Sequence, residues 1–489
     1  MLMTLIQKEM MHHILSARFV ALLLMCVLLI PLNLHINYHH YLKRQIDYQE
    51  QETLEDENVL KDENSEDQEG MSIKFKLATD TNLEVSKLIL KPTPLSVFAT
   101  GLESALPRYL GMTRNGITRG EASLSTAPIA FLLGHLDFVF VVSTVFSLLA
   151  LLFTFDAVAG EREAGTLRIT LANALPRDIF LWSKLIGGYF VFILPFLISV
   201  IIGLLVLVLQ GFPLTESDIF LRILCLIFVS LLYIGVFFAL GAVISIYFDS
   251  AKTALIVAFT VWVFVVLILP RVGFLAAQIV APTSTAESVY REKTARRAEL
   301  RAGLDAERGK MMSEVLSEMM KSTPTQGGTA VFTIGPEQNK KMNEKMAPLE
   351  EEARLKYQAL ATQLDRRYQR ERKHQDTIGV NFSRITPTAS FIFLATDTTQ
   401  TGQAKKNTYF QTGTRYYETL NTEMFSKISE GTFSHDNIEE IPSTMPPPPL
   451  VEPTLGETLQ HAALDLLLLC FFAIVLTTVA FLKFFRMDI

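Results

Sequence analysis

Residues 155–184 read FDAVAGEREAGTLRITLANALPRDIFLWSK, a short charged stretch set between two long apolar runs. Ala164, Leu167, Leu171 and Leu175 fall on one helical face, with Arg162, Thr166, Arg168 and Thr170 around it. That pattern predicts a short amphipathic helix lying parallel to a membrane, its apolar face resting on neighbouring helix ends. Gly165 permits close backbone approach, and Thr166 can cap the helix that follows. Asn173 and Pro176 end it, because proline disfavours helix at the residue before it.

The flanking runs belong to a larger set. A hydrocarbon core of about 30 Å needs roughly 20 apolar residues in a helix. Six segments qualify: 17–36, 136–156, 184–209, 219–247, 253–272 and 462–482. With 489 residues, 49% of them hydrophobic and gathered in blocks, the chain is excluded from the ordinary soluble class. The first run is not a cleaved signal: an amphipathic stretch precedes it and no small-residue cleavage site follows. Cys26, Cys225 and Cys470 all lie inside apolar blocks, where they read as small hydrophobes and not as a disulfide framework.

Direction follows from Lys and Arg in the short loops. Lys8 and Arg18 precede span one; Arg162, Arg168, Arg177 and Lys184 lie between spans two and three. Lys252 separates spans four and five, and Lys483 and Arg486 follow span six. Simple alternation puts all of them on one side, while the loop around Gly211 to Asp218 carries acids and no base. Both termini are therefore expected in the cytoplasm, with 157–183 as a cytoplasmic loop and 483–489 as a tail. Before span one, Met3, Ile6, Met10 and Ile14 recur at helical spacing. Residues 1–16 thus predict an interfacial helix, either an elbow able to contact a motor or a simple anchor.

Alternation leaves residues 37–135 and 273–461 outside. The first region opens with QIDYQEQETLEDENVLKDENSEDQEG, rich in acids and without apolar periodicity, and reads as a solvated, partly helical or mobile linker. From Met71 onward, SIKFKLA and LEVSKLILK alternate as strands do, and KPTPLSVFATGLESALP reads as a turn and short helix. A small mixed α/β module is expected. The second region holds two charged, helix-compatible stretches near 283–321 and 336–376, separated by STPTQGG. Met342, Met346, Leu349, Ala353, Leu360 and Leu364, with Tyr357 and Tyr368, form one stripe; Leu300, Leu304, Met311 and Val315 form the other. An antiparallel, coiled-coil-like hairpin follows, either projecting as a stalk towards an extracytoplasmic partner or folded against the protein's own outer domain. The ARRAELR and DRRYQRERK runs read as solvated helix faces, not nucleic-acid patches. FSRITPTASFIFLATDTTQTG is expected to re-enter the outer vestibule, and MPPPPLVEP to act as a stiff connector to span six.

The string ERE-x-GTL (Glu161, Arg162, Glu163, Gly165, Thr166, Leu167), followed by Arg168, the pair Pro176–Arg177 and then Lys184, closely resembles the coupling loop of ABC type 2 transporter permeases. Spans two to five, the long insert before span six and the ending FFRMD resemble the large-insert branch of that family. Asp137 and the pair Pro270–Arg271 also fit; the outer domains carry little of the likeness. The resemblance implies an α-helical integral membrane protein with six transmembrane helices. It implies two paired permeases, identical or related, each meeting one member of a cytoplasmic ATPase dimer at the coupling helix. ATP and Mg would be bound by that ATPase, since this chain has no Walker A sequence: GLDAERGKMM at Gly303 has the wrong spacing.

Charges at membrane depth are costly and default to functional candidates. Asp137, Arg222, Arg271 and Asp465 sit near outer span ends, where they either line an exit pathway or anchor and pair. No nucleophile motif or zinc-ligand spacing stands out, so no enzyme active site, cofactor or metal is expected in this chain. The expected function is the permease subunit of an ATP-driven exporter handling an amphipathic, membrane-derived substrate among membrane lipids. The alternative is force transmission to an extracytoplasmic assembly such as secretion, gliding or pilus machinery.

Overall fold

The computed structural model describes residues 2–64, 84–113, 116–121, 136–172, 176–216, 218–322, 336–425 and 446–487. The SIKFKLA stretch, the STPTQGG breaker after Ser322, Asn173 and Leu175 lie outside the described residues. The protein is mostly helical, and among the described residues six helices are long and apolar enough to cross a membrane.

The chain begins with α1 (Leu2–Ile14) and α2 (Ala17–Asn64). Ser16 makes the corner between them: its Oγ donates to His13 O at 2.6 Å and accepts from Phe19 N at 3.3 Å. α2 does not stop at residue 36. It continues through the acidic run as far as Asn64, which is the partly helical alternative left open by the sequence. A helix already nucleated in an apolar span extends through Glu, Gln, Leu and Lys at little further cost.

Helix α3 (138–154) contains one π-helical segment, Val141–Phe146. Backbone groups at membrane depth must find partners within the protein. Here Ser147 Oγ donates to Ser143 O at 2.6 Å, and Tyr233 OH to the same carbonyl at 2.8 Å. Two short helices follow, α4 (Ala159–Glu163) and α5 (Thr166–Ala172). Next come α6 (Arg177–Leu209), α7 (Ile219–Tyr247) and α8 (Ala251–Val280). The helix of span three starts at Arg177, because Pro176 supplies φ −60 and ψ 134 at its N-cap. Lys184 therefore lies two turns inside that helix and does not open it.

The chain divides into two compact units, the first being Met1–Gly273, Asn381–Thr419 and Ser443–Ile489. In it α6 lies along α1 and α2, while α7 lies at the centre against α3. The chain returns through α11 (Pro387–Thr398) and α12 (Gln403–Leu420), then α13 (Leu455–His461) and α14 (Ala463–Phe485). α7 also packs against α11 and α14. Thr454 and Glu457 close a reciprocal capping box at the start of α13. Between membrane helices, close packing and hydrogen bonds carry the association, since lipid is as apolar as leucine. The contacts fit that demand: Tyr233 stacks on Phe391 at 4.3 Å, and Trp262 Nε1 donates to Ser147 Oγ at 2.9 Å.

The same unit carries an antiparallel sheet β1 (Ser86–Ile89), β2 (Tyr109–Thr113) and β3 (Gly116–Arg119), in that order. Ser86 pairs with Met112, and Leu110 with Arg119. Residues Ser86 and Leu88 point inward and their neighbours are half-buried, as the alternation predicts. α12 covers the sheet: Tyr409 OH donates at 3.2 Å towards Leu88 O and Pro107 O, and Tyr416 OH lies 2.7 Å from Ser86 Oγ. The mixed α/β module is thus built from two sequence regions.

The second unit is Phe274–Val380 with Leu420–Pro442. Its main elements are α9 (Ala286–Ser322) and most of α10 (Pro336–Ser383), an antiparallel pair. Lys293 meets Asp365 at 2.6 Å and Arg308 meets Glu350 at 3.1 Å, partner numbers rising on one helix as they fall on the other. Met346 and Leu364 are buried; Leu300, Leu304, Met311, Val315, Leu349, Ala353, Tyr357, Leu360 and Tyr368 are half-buried. The expected stripes are the shielded ones. The Met342 side chain lies outside the described residues.

Candidate functional site

Between residues 155 and 172 the chain forms not one amphipathic helix but two, broken at Gly165 with φ +70. Nothing stands within 4 Å of a Cβ added there, so the left-handed backbone, and not close approach, requires glycine. Thr166 Oγ1 donates back to Glu161 O at 3.2 Å, tying α5 to the preceding turn instead of capping forward.

This segment is attached to several helix ends. Val158 N and Ala159 N donate to Ser245 Oγ on α7 at 2.9 and 3.0 Å. Glu163 Oε2 accepts from Ala251 N at 2.9 Å, placing a carboxylate at the N-terminus of α8, where the helix dipole favours it. Arg162 pairs with Asp249 in the α7–α8 turn. Glu161 Oε1 lies 2.5 Å from Lys184 Nζ, which also reaches Glu9 Oε1 on α1 at 3.2 Å. Arg18, opening α2, meets Asp156 at 2.7 Å. Arg177 Nη1 donates to Phe485 O and Met487 O at 2.9 and 3.0 Å, satisfying carbonyls left open at the end of α14.

Leu167 is 2% exposed, in an apolar cluster with Phe180, Leu181, Ile246, Ala480, Phe484 and Met487. On the other side of α5, Arg168 is exposed and Ile169 is 67% exposed. Gly165, Thr166 and Pro176 are exposed too. The segment is buried on a face that meets helix ends and open on a face that combines an apolar side chain with a charge. The contacts also place α1, the end of α14, the α7–α8 turn and residues 155–172 at one end of the bundle.

At the opposite end, Asp137 caps α3, accepting from Phe140 N at 2.8 Å and from Thr100 N at 2.9 Å. Arg222 is 2% exposed and donates to Thr398 O, Thr458 Oγ1 and Pro453 O. Asp465, 1% exposed, receives both arms of Arg384 at 2.8 Å. Arg271 is exposed. Among the described residues no ion pair joins any two of these four.

A family model for "ABC-2 family transporter protein" matches residues 3–489. The chain belongs to that family. No curated protein matches it. It is a multi-pass membrane subunit of an ABC transporter, and the family works with an ABC ATPase.

Four residues of this permease's charged clusters escaped the sequence reading. Glu9 is on α1, one turn before His13; Arg384 and Asp397 flank and end α11; Lys405 is near the start of α12. Their partners lie 175, 81 and 302 positions away for Glu9, Arg384 and Lys405, beyond the reach of any local spacing rule. The available signal was the cost of placing Arg384 and Asp397 beside apolar helix.

Proposed function

We propose that α4 and α5 are where a cytoplasmic ABC ATPase grips this permease, and that its ATP-driven closure moves the spans to export or extract an amphipathic, membrane-derived substrate. One observation carries the reading. A single short segment, with an exposed Arg168–Ile169 face, is bonded to α2, α6, α7 and α8 through Arg18, Lys184, Ser245, Asp249 and Ala251, and Lys184 in turn reaches α1 at Glu9. Glu161 and Glu163 face the bundle and transmit; Arg168 and Ile169 face outward and dock. An exposed apolar side chain rimmed by charge fits a protein interface. In this reading both termini are cytoplasmic, and residues 37–135 and 273–461 lie on the far side. A second permease, identical or related, completes the pathway.

The second unit favours a further role. Its α9–α10 pair, compact in itself and lined with exposed ion pairs, suits docking of an extracytoplasmic protein that the ATPase drives through the membrane.

The test uses the complex with its ATPase in lipid nanodiscs. Arg168→Glu with Ile169→Asp is expected to abolish ATPase co-purification. Glu161→Ala with Glu163→Ala is expected to break the dependence of ATPase activity on lipid or cargo. If the ATPase binds and responds normally in both, the assignment of this segment is wrong.

A further inference from the structure

Lys184 lies on α6 with its side chain 10% exposed, its Nζ 2.5 Å from Glu161 on α4 and 3.2 Å from Glu9 on α1. One largely buried cation therefore serves two carboxylates on two separate helices. The same ammonium also stands 5.4 Å from the Phe180 ring centre. Removing it would leave two half-buried acids without compensation, which low dielectric makes costly.

α1 is held against α6 at backbone distance. A Cβ on Gly187 would stand 3.1 Å from Glu9 Cβ and 3.3 Å from Ile6 O. Further along, His13 packs on the Phe153 ring of α3 at 4.8 Å. His13 Nε2 is 3.9 Å from Glu9, but burial above all lowers its pKa, so near neutral pH it gives Glu9 little positive charge. Lys184 is the cation on which Glu9 depends. At its far end α1 joins α2 through the Ser16 corner, a hydrogen-bonded turn.

We propose that α1 is a second arm of the coupling element. Glu9, Lys184 and Glu161 make it move as one body with α4, so a stroke at α4 and α5 enters the bundle through α1 and α6 as well. Glu9 and Lys184 are positioning residues in this scheme. The inference rests on the reading of 159–172 as the motor contact.

The experiment places spin labels at Gln7→Cys on α1 and Ala172→Cys on α5, both exposed positions, with Cys26, Cys225 and Cys470 replaced by alanine. Distances are measured in the nanodisc complex, nucleotide-free and trapped with ATP and vanadate. The expected result is one distance distribution common to both states. Glu9→Gln and Lys184→Met are each expected to split it on trapping, with α1 left behind. Glu9→Gln leaves the Lys184–Glu161 pair in place, so it carries the test should Lys184→Met fail to assemble. The proposal is overturned if the unaltered complex already splits, or if Glu9→Gln keeps the common distribution. Either outcome, alongside loss of ATPase binding in Arg168→Glu with Ile169→Asp, removes the α1 arm and leaves the motor contact standing. Normal ATPase binding and response in that variant and in Glu161→Ala with Glu163→Ala removes the contact itself.

Discussion

Lys405 Nζ lies 2.6 Å from Oε2 of Glu103, 302 positions away in the chain, while Arg44 Nη1 lies 2.7 Å from the other carboxylate oxygen. The Glu103 side chain is 3% exposed. One buried carboxylate thus joins α2, the loop before β2 and α12, which are otherwise separate stretches of sequence. This junction fastens the α/β module to a membrane helix.

Breaking a buried pair by removing one partner typically costs about 3–5 kcal/mol, because the remaining charge is left uncompensated. Glu103→Ala is expected to fall in that range and to lower the apparent melting temperature in nanodiscs. Lys405→Met should cost less, since Arg44 still holds the carboxylate. Limited proteolysis around residues 84–121 would rise in the same order. Equal melting temperatures for Glu103→Ala and the parent would show that the junction is not structural.

Asp397 gives a pH dependence with a definite sign. Burial first, and then the negative charge of Asp465, raise its pKa from 3.8 to about 6; Arg384 and His461 act in the opposite direction, as does a bond from the Gln403 backbone. A folded value above the unfolded one means the fold prefers the protonated acid. The associated stability is fully present below about pH 4 and is lost as pH rises through about 6. The shift of roughly two units corresponds to about 3 kcal/mol at most. Stability of the α11 region, followed by hydrogen exchange, is expected to rise between pH 7 and pH 5. Asp397→Asn should flatten that rise.

The membrane part was legible because each span announces itself in one window of about 20 residues. Each of the six expected segments meets a helix of the structure, though 136–156 overruns both ends of α3 and 462–482 begins one residue before α14, and the shielded stripes of α9 and α10 match their apolar spacing. The differences arise where a neighbour decides. Residues 45–64 lack apolar periodicity, which leaves partial helix and mobile linker both open in the sequence, and the helix already started in the apolar span decides between them. Pro176, placed as a terminator, is also the N-cap from which α6 begins. Thr166 looks like a cap by position, but its hydroxyl is engaged with Glu161 O. The bonds Glu9–Lys184, Glu103–Lys405 and Arg384–Asp465 join elements far apart in sequence. A polar residue shows by its type that it needs a partner, not which partner it will find.

Gly241 of α7 tests the tightness of the central packing. A Cβ there would lie 1.9 Å from Thr154 Oγ1 on α3 and 3.1 Å from Thr154 Cβ. The hydroxyl is itself bonded to Ala150 O at 3.0 Å, so turning it away breaks that bond. Gly241→Ala should destabilise by about 1–3 kcal/mol, the usual cost of overpacking. Adding Thr154→Ala removes the nearest atom and is expected to restore much of the loss. A double mutant no better than Gly241→Ala alone would place the strain elsewhere.

Gly165 offers a separation of backbone strain from contact. Its φ of +70 costs a residue with a Cβ about 1–2 kcal/mol, and asparagine tolerates that region better than alanine. There is open space around the position, so side-chain size should not matter. Gly165→Asn is therefore expected to be milder than Gly165→Ala, although asparagine is the larger residue. With alanine, the strain is relieved most easily by straightening the α4–α5 junction. That would draw Leu167 out of its pocket beside Phe180 and Phe484, two rings stacked at 5.7 Å. Hydrogen exchange over residues 159–172 reads the result: faster exchange in Gly165→Ala than in Gly165→Asn supports the strain account. The reverse order would mean that the volume at the junction governs this glycine.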